Sequence, residues 1–66
     1  MSNRIPRNFE SITATPLFGN AKGKQMIITK DEYGYHGREV ESGFTWLVFV
    51  SHLRNENLFR IDNIAQ

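Results

Sequence analysis

The chain contains no cysteine and only two prolines in 66 residues. Without thiols it can build neither a disulfide framework nor a thiolate metal site. His36 and His52 are its only imidazoles, and nothing in their spacing forces them together. No charge of one sign dominates: eight Lys and Arg stand against seven Asp and Glu, a net charge of +1. A strongly basic polyanion binder and an acidic mimic of DNA are both disfavoured as whole-molecule descriptions. Long apolar runs are missing as well. The longest, Trp46 to Val50, is far short of a membrane span, and the first residues carry no apolar signal-peptide core. A cytoplasmic protein with no membrane role is expected.

What remains is a single small domain. Its 39% hydrophobic and 23% charged content suits a globular chain. A domain of this size buries only about 60% of its unfolded surface, so its stability is marginal. Residues 1–8 are polar with one proline and read as a flexible arm, leaving 9–66 as the domain. Turn residues then come often: Pro16, Gly19-Asn20, Gly23, Gly34, Gly37, Gly43 and Asn55-Glu56-Asn57. They cut the chain into pieces too short for ordinary helices. Strands are expected at 9–15, 24–30, 33–40, 44–51 and 57–64, where β-branched and aromatic residues gather. The segment 44–51 (FTWLVFVS) is apolar on both faces, which suits a central strand or one faced by a partner. Asn55 and Asn57 favour a hairpin turn over a helix across 50–61. The expected fold is all-β or β-rich α+β: a small five-stranded curled antiparallel sheet or an SH3/Sm-like barrel.

The stretch from Trp46 to Ile64 (WLVFVSHLRNENLFRIDNI) resembles the second half of a WYL domain. That family has a tryptophan-led strand, a polar turn and a closing strand of the form F-R-hydrophobic-D-R-I. The resemblance covers 19 of the 66 residues. It implies an Sm-like barrel and a setting in bacterial transcription regulation, with nucleic-acid or ligand sensing.

No arrangement of side chains points to catalysis. Asp31, Glu32, Glu39 and Glu41 lie beside turn residues, where carboxylates are solvated rather than held in a cleft with separated pKa values. Ser11, Ser42 and Ser51 lack a nucleophile elbow. The segment Gly19-Asn20-Ala21-Lys22-Gly23-Lys24 misses the phosphate-loop spacing and is followed by Gln25. The chain is therefore expected to be no enzyme and to need no cofactor or metal. It is expected to be a regulatory binding protein that docks on a macromolecular partner, a component of transcription or nucleic-acid processing.

Two surfaces compete for that role. Tyr33 and Tyr35, two apart on an expected strand, together with Arg38, Trp46, Phe49 and Phe59, are candidate anchors for a protein partner, since Tyr, Trp and Arg are enriched in interfaces. The alternative is single-stranded RNA or DNA on an aromatic sheet face, gripped by Arg4, Arg7, Lys22, Lys24, Lys30 and Arg60. Charge is uneven enough to allow it: residues 1–24 carry +3 and residues 25–66 carry −2. A protein partner is favoured because +1 is a weak field for a polyanion. A homodimer is also expected, because the apolar strand exceeds what so small a sheet can cover.

Overall fold

The pieces between the turn residues pair one after another. A computed structural model describes residues 2–66. Strands β1 (Ser11–Pro16), β2 (Met26–Asp31), β3 (Gly34–Glu39) and β4 (Thr45–Val48) are followed by a short helix α1 (Val50–Arg54) and strand β5 (Phe59–Ala65). Every pairing is antiparallel, and the order across the sheet is β4-β3-β2-β1-β5. The first four strands meander, and β5 returns to the far side of β1. The fold is a small β-rich, five-stranded antiparallel sheet, as the strand-sized pieces implied. Of the arm expected over 1–8, the first residue lies outside the described residues.

Period-two alternation builds the core. Ile12 and Ala14 of β1, Met26 and Ile28 of β2, Val48 of β4 and Phe59 of β5 turn to one face and meet Leu53 of α1. Each large side chain buried this way contributes about 1.5–3 kcal/mol. From β3 that face receives Gly37. A Cβ there would overlap Met26 Cε and stand 2.9 Å from Val48 Cγ2. Glycine is what allows residues from β2 and β4 to meet across β3. On β5 the alternation runs Phe59 and Ile61 inward, Arg60 outward. A bulge then intervenes: Thr13 pairs with Asn63 but Ala14 with Ile61, so Asp62 is the extra residue. The shift lets both Ile61 and Ile64 pack against the core.

Val48 and Phe59 come from opposite ends of the strand order, yet they belong to one core cluster and wall one cavity. The sheet is thus curled. It is not closed, because β4 and β5 do not pair. Of the two expected forms, the curled sheet is found and the closed barrel is not.

Three further expectations are corrected. The segment 44–51 is not one central strand: β4 stops at Val48, lies at the sheet edge, and gives way to α1. Its two-sided apolarity reflects exposure at the edge, not burial on both faces. Residues 50–61 do not form a hairpin joining β4 to β5. The Asn55–Asn57 turn is present, with the Asn57 N–H donating to Asn55 Oδ1 at 2.9 Å. It follows a helix instead of a strand. Phe49 leaves β4 in extended backbone (φ −78, ψ 134), and its carbonyl accepts from His52 and Leu53 at 3.0 Å each, which starts the helix. Finally, Tyr33 does not share a strand face with Tyr35. It sits in the two-residue turn between β2 and β3, and β3 begins at Gly34.

Candidate docking surface

Phe44, Leu47 and Phe49, three of the exposed large apolar side chains, gather at the seam between β4 and the start of β5. Phe18, in the loop after β1, lays its ring edge-on to buried Phe59 (5.7 Å, 82°) and so reaches across the seam. Trp46 lies on the core-facing side of β4, its indole Nε1 3.3 Å from where a Gly37 Cβ would stand. Two grooves share Phe18 and Trp46 as walls. One, about 370 Å³, is completed by Gly19, Asn20, Ala21, Lys24, Glu39 and Phe44. The other, about 230 Å³, is completed by Leu47, Val48, Phe49, His52 and Phe59. On their rims Phe44 and Phe49 are each 64% exposed and Leu47 is 61% exposed. Local chemistry accounts for the presentation of Phe44. The Glu39 carbonyl accepts from Gly43 at 2.9 Å and the Glu39 N–H donates to Phe44 at 2.8 Å. Gly43 takes the left-handed conformation this turn requires (φ 76).

The expected anchors divide between this seam and elsewhere. Trp46 and Phe49 are in it, Phe49 with its ring against His52 (5.3 Å, 77°). Phe59, 2% exposed, forms the floor of the seam as a core residue. Tyr35 is half-buried, stacked on Phe9 (5.7 Å, 2°) with Lys30 Nζ 5.9 Å from its ring. Tyr33 stands 80% exposed at the turn tip, its N–H donating to Asp31 Oδ1 at 2.8 Å. Arg38 is exposed on β3 opposite Thr45. Phe18, Phe44 and Leu47 join the site from outside the expected anchors. For Phe18 a signal existed: an aromatic side chain set directly before the turn pair Gly19-Asn20.

The candidate nucleic-acid residues do not gather in one place. Arg4 lines an open cavity with Arg54, the residues around it on the arm, and the end of β5. Lys30 Nζ donates to the Arg7 carbonyl at 3.3 Å. Lys24 lines the larger groove, and Lys22 is exposed in the same loop. Arg60 is engaged on the outer face, where its Nε donates to Asp62 Oδ1 at 2.8 Å and its Nη2 to Thr15 Oγ1 at 3.3 Å. Among the described residues no group of three or more His, Asp or Glu could hold a metal ion, and no helix is long and apolar enough to cross a membrane.

The bulge residue Asp62 organises that outer face. Its side chain is only 19% exposed. Its Oδ2 accepts from Thr15 Oγ1 at 2.6 Å and from Gln25 Nε2 at 3.3 Å. The Thr15 bond holds the carboxyl below its ordinary value of 3.8; partial burial pushes the other way but loses to it, and Arg60 and Gln25 add to the lowering. On β3, beside the turn from β2, His36 Nε2 lies 3.1 Å from the Asp31 carboxylate, an exposed pair.

Comparison of the chain with protein-family models, with curated proteins and with solved structures yields no match.

Proposed function

We propose that this chain is a small non-enzymatic regulatory protein that docks on a protein partner through the seam beside β4. The observation that carries the reading is the concentration of exposed apolar surface there. Phe44, Leu47 and Phe49 rim two contiguous grooves walled by Phe18 and Trp46. A contiguous patch of large apolar side chains on so small a chain is unfavourable in water, and such patches mark interaction sites. Aromatic anchors over well-packed pockets are where binding energy concentrates. Lys24 and Glu39 on the rim of the larger groove supply one charge of each sign, which suits a mixed polypeptide surface better than a polyanion.

We read the curled sheet as a small barrel of the SH3/Sm kind left open at the seam. The WYL-like stretch, residues 46–64, runs through β4, α1 and β5 and so supplies most of both sides of that opening. On that ground we place the protein in a transcription-regulation setting. Nucleic acid is the less well supported partner, because the six candidate cations are spread over separate faces and Arg60 is paired with Asp62.

The test is affinity capture from the source cell with the wild-type chain, with Phe44→Ser/Phe49→Ser, and with Tyr33→Ser as a surface control. The expected result is a protein retained after nuclease treatment by the wild type and the control, and lost by the double variant. Capture that depends on nucleic acid and falls steeply with salt would instead favour phosphate contacts.

A further inference from the structure

The backbone edge of β4 is an unpaired sheet edge among the described residues, distinct from the grooves on its face. The Glu39 N–H donates to the Phe44 carbonyl, so the 39–44 pair occupies a hydrogen-bonding position of the β3–β4 ladder. In an antiparallel ladder such pairs alternate. With the register Gly37↔Trp46 and Tyr35↔Val48, residues 44, 46 and 48 bond inward to β3. The N–H and C=O groups of Thr45 and Leu47 therefore point away from the sheet, where among the described residues no strand lies beside β4. Nothing blunts this edge. From Gly43 to Ser51 there is no charged residue and no proline, the devices by which sheet edges are usually kept from pairing.

We propose that this edge pairs with the same edge of a second copy, antiparallel about a two-fold axis passing beside Trp46. The proposal rests on the reading of β4 as the interaction side, and it names one occupant of that side. Three observations select a second copy. First, the outward groups are self-complementary: placing Thr45 opposite Leu47 of the second copy, and Leu47 opposite its Thr45, satisfies both N–H and both C=O groups of each strand with four hydrogen bonds. Second, the competing register that centres on Leu47 would need the Phe49 carbonyl, which already accepts from His52 and Leu53. Third, residues near a two-fold axis meet their own copies, so a charged edge repels itself, and this one is neutral on a molecule of net charge +1.

The pairing also brings exposed side chains under cover. Leu47 lies beside Thr45 of the second copy on the outer face, and Phe44 beside its Val48 on the inner face. The two Trp46 residues stand opposite each other at the axis. Because Trp46 walls both grooves, the grooves of the two copies become neighbours across the axis, and the docking surface is doubled. A four-residue edge with its flanks buries less than the ~1,600 Å² of a standard interface, so the dimer is expected to be of the weak, transient class.

Sedimentation equilibrium over a concentration series tests this with four chains: wild type, Leu47→Lys, Thr45→Glu, and Thr45→Glu/Leu47→Lys together. Circular dichroism melting serves as a folding control, and both positions are exposed. The wild type is expected to rise from 7.7 kDa towards twice that mass. Each single variant should weaken the dimer by about tenfold or more. The double variant should restore it, because in this register every introduced acid faces an introduced base. A monomeric wild type, single variants that dimerise as the wild type does, or a double variant that stays monomeric would each overturn the proposal. Variant-sensitive capture of another protein by a monomeric chain would leave the protein-docking reading standing alone. A rescued dimer that captures nothing would leave only the two-fold pairing.

Discussion

The two edges of this sheet are opposites. At β5 the edge is interrupted and occupied. Asp62 forms a bulge, Arg60 and Asp62 are charged, and the N-terminal residues lie against the strand's start. The Asn3 side-chain amide donates to the carbonyls of Leu53 at 3.0 Å and Phe59 at 2.9 Å, its backbone N–H donates to Arg54 at 2.8 Å, and Ser2 bridges Asn55. At β4 the edge is neutral, unbulged and flanked by exposed Phe44, Leu47 and Phe49. Both edges face the same problem of unpaired backbone groups. One is charged, bulged and met at its start by the N-terminal residues, and among the described residues the other has none of these. The difference teaches where to look for a partner when nothing else identifies one.

The contrast can be broken most severely at Phe59, the β5 residue that floors the seam. Phe59→Ala is expected to cost about 3–5 kcal/mol, a large part of the stability of so small a domain; urea titration reads it. The same truncation at Phe49, across the seam, should leave the urea midpoint nearly unchanged and appear only in binding. Gly37→Ala tests how β4 is seated. The added methyl meets Met26 and Val48, and overpacking of this kind costs about 1–3 kcal/mol. A stabilised variant would mean the β4 side yields more readily than its packing indicates.

Asp62→Asn sharpens the other side of the comparison. Its carboxyl is held below the ordinary value of 3.8 in the folded chain, so the unfolded chain binds a proton more readily. The stabilisation is fully present above the unfolded value and is lost as pH falls through the folded one. The variant should lose about 1 kcal/mol near neutral pH and show a shallower fall in stability below about pH 4. Thermal melts over a pH series check both. The smallest effect belongs to Phe44→Ser. As an exposed residue outside the core cluster, it should change stability by no more than about 0.5 kcal/mol, while weakening capture of a partner.

Much of the fold was legible because period-two alternation and turn residues are local signals. Gly19, Gly23, Gly43 and the Asn55–Asn57 turn fall between elements, and the inward placement of Phe59 and Ile61 against outward Arg60 follows from spacing alone. The bulge at Asp62 left no such trace, since it depends on register with β1. The position of β4 was illegible for a related reason: a two-sided apolar strand looks the same at a sheet's centre and at an edge awaiting a partner. The helix at Val50–Arg54 was hidden because a five-residue element is too short to show helical periodicity. Within the candidate site, Trp46 and Phe49 stood out by residue type. Phe18 did not, because its contact with Phe59 joins positions far apart in sequence.

The central claim is that β4 is the edge open to pairing and β5 the edge guarded against it by its bulge and charges. Residue-resolved amide exchange by NMR, at low and high protein concentration, reads both edges in one wild-type sample. The account predicts that the amides of Thr45 and Leu47 exchange freely when dilute and gain protection as concentration rises, while those of β5 keep the same protection throughout. Concentration-dependent protection along β5, or amides of Thr45 and Leu47 that exchange equally fast at every concentration, would contradict it.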